Sequence, residues 1–136
     1  MKQLVRVLAV ALAVTAAASA MHAAELRAPA HGDVAYVSGG IGSEEAAAMR
    51  KEEWRYPLSI EFAMRSETGT EYVAGVAVGI SDRYGKPVLT TVTDGPVLLA
   101  RLPNGRYTVT ADLDGRTKSQ AVVVTAQQPK HLRFVW

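Results

Sequence analysis

The chain contains no cysteine. Disulfide staples, thiolate nucleophiles and cysteine-ligated zinc are therefore excluded. Aromatic residues make up only 7% of the 136 positions, too few for the two interfacial girdles of an outer-membrane barrel. Histidine is scarce as well: His22, His31 and His131 stand alone, and no pair has metal-ligand spacing. No metal site, cofactor or catalytic residue is expected. There is no real excess of charge either. The formal net charge of +2 includes Lys2 and Arg6, and without the first 20 residues the Lys+Arg total falls from 15 to 13, equal to Asp+Glu. A balanced chain leaves no electrostatic footprint for nucleic acid, so no such partner is expected. Long apolar runs are missing too. The Ala-, Val- and Leu-rich run Val7–Ala18 has twelve residues, well short of the roughly 20 that a spanning helix needs.

That run belongs to an export signal. Met1–Arg6 carries two positive charges, Val7–Ala18 follows without charge, and Ala18-Ser19-Ala20 places small residues at the two positions a signal peptidase reads. Residues 1–20 are thus expected to be a signal peptide cut after Ala20. Cleavage after Ala23 or Ala24 would put Met21 or His22 where a small residue is preferred. About 116 residues remain, enough for one core in one small domain. The expected location is the periplasm or the exterior, with no membrane span after signal removal.

Residues 21–33 hold Pro29, Gly32 and alanines without a period and read as a flexible leader. Residues 34–57 read as a strand–turn–helix extension. Val34–Val37 is a short apolar run, Ser38–Gly42 a turn, and Ser43 a helix cap, with Glu44 and Glu45 in a first turn where the dipole favours negative charge. The helix is expected to reach about Arg55, because Pro57 pushes its predecessor out of the helical region.

Past Pro57 the apolar period changes from 3.6 to 2. Leu58, Ile60, Phe62 and Met64 share one face, with Ser59, Glu61 and Arg65 on the other. The same alternation recurs in Tyr72–Ile80 and in Tyr107–Leu113. Short apolar runs occur at Val88–Val92, Val97–Leu102 and Ala121–Thr125, and Leu132, Phe134 and Trp136 close the series. Between the runs lie turn residues: Asp82–Gly85, Asp94-Gly95-Pro96, Pro103-Asn104-Gly105 and Asp114-Gly115. Seven strands, each with one apolar face, predict a mainly β fold over residues 58–136: a seven-stranded antiparallel β-sandwich with one short N-terminal helix.

Leu102-Pro103-Asn104-Gly105-Arg106-Tyr107-Thr108-Val109-Thr110-Ala111, followed by Asp114-Gly115, resembles the L-P-x-G-x-Y-x-V-x-A…G stretch of carboxypeptidase regulatory-like domains. Ala74–Asp82 and Thr93-Asp94-Gly95 resemble the first strand and two turns of the same domains. The resemblance spans about residues 58–136 and implies a sandwich of the transthyretin (prealbumin) type. The Gly39–Arg55 segment resembles the N-terminal extension of small bacterial periplasmic proteins that carry this domain. No peptidase activity is implied, since the zinc site of those enzymes lies in another domain. The hydroxyisourate hydrolases of this fold use inward histidines and a Tyr-Arg-Gly-Ser type tail. This chain has neither, and ends Arg133-Phe134-Val135-Trp136.

Gly39-Gly40-Ile41-Gly42 before a helix suggests a nucleotide loop, but counting G-x-G-x-x-G from Gly40 puts Glu45 at the third glycine, and no Lys-Ser/Thr pair follows. Thr110–Gly115 has the middle of a calcium loop, but its first and twelfth ligands would be Thr110 and Ala121. No serine lies in G-x-S-x-G. The one histidine available as a base, His131, alternates with apolar Leu132 and Phe134 and is expected to face solvent. The C-terminal alternation to Trp136 also resembles the assembly signal of outer-membrane barrels, but a core-facing last strand explains it more simply. The expectation is a non-catalytic exported sandwich, a binding or accessory module whose partner is an envelope protein or glycan. The alternatives are a small periplasmic enzyme with an unfamiliar site and, behind it, a small outer-membrane barrel.

Overall fold

A computed structural model describes residues 34–136. The signal peptide, the cut after Ala20 and the leader at 21–33 lie outside the described residues. Nine strands and one helix follow: β1 (Ala35–Gly39), α1 (Ser43–Glu52), a 3₁₀ turn (Glu53–Arg55), β2 (Leu58–Ser66), β3 (Gly69–Tyr72), β4 (Ala77–Asp82), β5 (Pro87–Val92), β6 (Val97–Arg101), β7 (Gly105–Leu113), β8 (Arg116–Val124) and β9 (Lys130–Val135). No helix among them is long and apolar enough to cross a membrane.

The strands divide between two sheets. One is wholly antiparallel, in the order β5-β4-β7-β8. In the other, β1 pairs with β6 and β6 with the first half of β2, while the hairpin strand β3 pairs with the second half. Phe62 donates to Pro96 O and accepts from Val73 N, so β6 and β3 lie end to end along the same edge of β2. The other edge of β2 carries β9, which runs parallel to it from Leu58↔Lys130 to Ala63↔Val135.

Period-2 alternation builds the core. Leu58, Ile60, Phe62 and Phe134 from one sheet meet Val78, Ile80 and Val109 from the other, all at 2% exposure or less. Trp136 joins them at 9% exposure, its ring 6.4 Å from that of Phe62 and 6.1 Å from that of Phe134. Leu132, Phe134 and Trp136 therefore face the opposite sheet, as the alternation predicts. The two sheets are also tied at both open sides. On one, Tyr36 Oη lies 3.1 Å from Thr91 Oγ1. On the other, Lys118 Nζ and Gln120 Nε2 of β8 donate to the outward carbonyls of Val135 and Arg133 on β9.

The structure differs from the sequence expectation in three respects. There are nine strands among the described residues, not seven. The Val34–Val37 run is a full sheet member, β1, and the Tyr72–Ile80 run is two strands. Gly75, at φ 73, turns the chain out of one sheet and into the other. A residue with a Cβ avoids that backbone region and glycine does not. The fold is not purely antiparallel, because β9 is parallel to β2. Ser43 does not cap α1. Gly42 holds the N-cap position with no side-chain cap, and Glu45 reaches back instead to accept from Gly40 N at 2.9 Å. The helix and the 3₁₀ turn cover the outer face of one sheet, while Trp54 stands 68% exposed with Arg55 stacked on its ring.

That cover explains why β2 is buried on both faces. Ser59 and Leu99 point away from the core yet are 3% and 1% exposed. Met49 of α1 is buried on the same outer side, and Glu53 of the 3₁₀ turn hydrogen-bonds Ser59. Close approach is also needed where β1 ends. A Cβ on Gly95 would collide with the backbone of Gly39, so only glycine lets the β5–β6 turn pass there.

Candidate functional site

The outer face of the β1-β6-β2-β9 sheet and the helix above it enclose a cleft of about 280 Å³. Arg50, Glu53, Glu61, Tyr72 and His131 supply its polar and aromatic lining, and Ala46, Pro96 and Val97 its apolar part. Strand register sets this up. The parallel pairing places Ser59 beside His131 and Glu61 beside Arg133. Outward residues of two strands 72 positions apart in sequence thereby become neighbours beneath the 3₁₀ turn.

Three side chains meet at one corner of the cleft. Ser59 Oγ lies 2.8 Å from His131 Nδ1 and donates to Glu53 Oε1 at 3.0 Å. Glu53 Oε1 is also 2.9 Å from His131 Nδ1. The His131 ring is half exposed and Ser59 is buried. A serine nucleophile needs a free imidazole nitrogen as base, with the carboxylate on the ring's other nitrogen. Here the hydroxyl and the carboxylate both crowd Nδ1. With Glu53 accepting from Nδ1–H, that nitrogen is a donor and cannot take the Ser59 proton. The triangle fixes the ring and the 3₁₀ turn, and leaves His131 Nε2 without a protein partner among the described residues.

Beside it, Arg133 Nε pairs with Glu61 Oε1 at 3.1 Å. Arg50 forms no ion pair among the described residues. Tyr72 is 56% exposed at the end of β3. No group of three or more metal-ligating side chains is placed to hold an ion among the described residues.

A broader, shallower depression lies at one end of the other sheet, between the β4–β5 and β6–β7 turns. Tyr107 borders it. Its hydroxyl donates to Pro103 O at 2.8 Å, bracing the turn that opens β7. Burial, and after it the charge of Asp82, push this hydroxyl above a tyrosine's ordinary value. The contact gives the Leu102–Tyr107 stretch a physical reason: the tyrosine pins the corner from four residues downstream.

Sequence reasoning placed His131 on the solvent side of its strand, and it is there, but engaged. The Ser59–Glu53–His131 cluster was missed. Its one local trace is that Ser59 and His131 both occupy outward positions. Asp114-Gly115 forms the β7–β8 turn, with Gly115 N bonded to Asp112 Oδ1. Gly40 and Gly42 connect β1 to α1, both at positive φ. No family model matches the chain, and no curated protein matches it.

Proposed function

We propose that this protein is a non-catalytic, exported β-sandwich that serves as a binding or accessory module of the cell envelope. The observation that carries the reading is the cleft beneath α1. It is concave, and each ionisable group at its corner is already held by a neighbour, as in a site built to receive rather than to react. The buried Ser59 hydroxyl, which donates to Glu53 Oε1, supports the non-catalytic part. The charged start, apolar run and Ala18-Ser19-Ala20 site support export. The Leu102–Ala111 stretch, with Tyr107 bracing Pro103, supports kinship with transthyretin-type carboxypeptidase regulatory-like domains, which serve as accessory modules.

Expression of the full chain in a bacterium with an envelope tests the reading. The osmotic-shock fraction should contain a product beginning at Met21 that co-sediments with isolated envelope material. Recovery of a product retaining Met1 in the cytoplasm would overturn the export claim. A fluorophosphonate probe should leave Ser59 unlabelled; labelling there would revive the enzyme alternative.

A further inference from the structure

We infer that the cleft beneath α1 binds one ring of an uncharged glycan, an inference that rests on reading the protein as a binding module. Charge balance comes first. Glu53 and Glu61 are the cleft's carboxylates, and Arg50 and Arg133 are the guanidiniums in and beside it. Two against two leaves no net charge to select a phosphate or a polycation. Hydrogen-bonding capacity comes second. Arg50 offers only donors. Glu53 and Glu61, each held by its own partner, keep unused lone pairs and offer only acceptors. His131 Nε2 has no protein partner among the described residues, because Ser59 and Glu53 both engage Nδ1, and it adds a further hydrogen-bonding position. A ligand that satisfies all four must donate and accept at neighbouring atoms, as the vicinal hydroxyls of a sugar do.

Shape agrees with this. At about 280 Å³ the cleft sits at the small end of ligand sites, which run from roughly 300 to 1,000 Å³. Tyr72 presents an exposed ring at the rim, and Val97, Pro96 and Ala46 are apolar. A pyranose has the matching surfaces: C–H faces for the tyrosine and the apolar wall, a hydroxyl rim for the charged side chains. An extended peptide fits poorly, because it binds by adding a strand at a sheet edge and this cleft lies over a sheet face. Binding needs little reordering, since Glu53, Glu61 and His131 are already fixed.

The test is a titration of the ¹⁵N-labelled mature protein with three neutral probes, N,N′,N″-triacetylchitotriose, cellotriose and maltotriose, and with inorganic phosphate and trialanine as controls. At least one trisaccharide should shift the backbone amides of Ala46, Arg50, Glu61 and Val97 in a saturable way, and neither control should. Tyr72→Ala and Arg50→Ala, both at surface positions, should each weaken that binding at least tenfold with an unchanged melting temperature. Three results overturn the proposal: no shift with any trisaccharide, shifts confined to residues outside the cleft, or equal shifts with phosphate. If the trisaccharides fail while the exported protein still co-sediments with envelope material, the glycan assignment falls and the binding-module reading stands.

Discussion

Trp136→Ala is the most informative single change to the core. The Trp136 backbone is anchored independently of its side chain: its N–H donates to Ala63 O at 3.1 Å and its carbonyl accepts from Arg65 N at 2.8 Å. The substitution therefore removes the side chain without releasing the strand. What is lost is a nearly buried indole, stacked on Phe62 and Phe134, whose Nε1 donates to Arg116 O at 2.8 Å. A buried Trp covers roughly 150–250 Å², which at about 25 cal/mol per Å² is about 4–6 kcal/mol as an upper bound. The void opens at the rim of the sandwich, where water enters, so the cost falls to the lower end of aromatic truncations, about 3 kcal/mol. That is a large share of a small domain's total of roughly 5–15 kcal/mol. Val135→Ala, on the half-buried outer side of the same strand, should cost no more than about 1 kcal/mol. Urea unfolding followed by far-UV circular dichroism reads both, since Trp54, the one tryptophan the variant retains, is exposed and a poor fluorescence reporter of the core. A loss below about 1 kcal/mol for Trp136→Ala, or a larger loss for Val135→Ala, would refute the packing argument for β9.

Gly95→Ala should destabilise by about 1–3 kcal/mol, because the added methyl drives the β5–β6 turn off the end of β1; a neutral effect in thermal unfolding would mean that β1 is loosely held. Tyr107→Phe should cost about 1 kcal/mol at neutral pH through its lost bond to Pro103 O. The folded-state pKa of Tyr107 is raised, so its contribution is complete below the unfolded value of 10.0 and declines as pH climbs from there through the folded value. Stability of the parent should thus fall more steeply above pH 10 than that of Tyr107→Phe; parallel curves would contradict the direction. Glu53→Ala should lower stability by about 1 kcal/mol, since it removes a partner from the buried Ser59 hydroxyl, whereas the double change with Ser59→Ala should recover part of that loss. Additive losses in that double-mutant cycle would show that the two side chains are not coupled.

What could be read from the sequence was local. Alternation over Leu132, Phe134 and Trp136 identifies the buried face because side-chain direction in a strand depends on parity alone. Turn chemistry at Asp114-Gly115 likewise needs no distant partner. The errors arose where identical local signals have different outcomes. Gly75 and Gly79 sit at equivalent small positions of one alternating run, yet Gly75 breaks the run at positive φ and Gly79 stays in β4. Which glycine turns is decided by how the two sheets must be bridged, and the sequence carries no local mark of that. The candidate site was illegible for the same reason. Ser59, Glu53 and His131 come from a strand, a 3₁₀ turn and a distant strand, and they meet only through a parallel register that no short-range pattern specifies.

The parallel seating of β9 beside β2 also governs how the chain acquires its structure. Among the described strands β2 is the second made and β9 the last, so one whole edge of β2, with Phe62 at its centre, stays vacant while every intervening segment emerges. Closing a loop of this length is entropically costly and comes late, which makes for slow folding. During that interval the open edge of β2 can pair with another chain's strand, and crowding during synthesis should favour such pairing. Once β9 docks it covers that edge of β2, and Lys118 and Gln120 occupy the outward carbonyls of Val135 and Arg133 on β9 itself. A nascent chain of this topology should therefore depend on chaperones until β9 has emerged, and become resistant to self-association once it is seated.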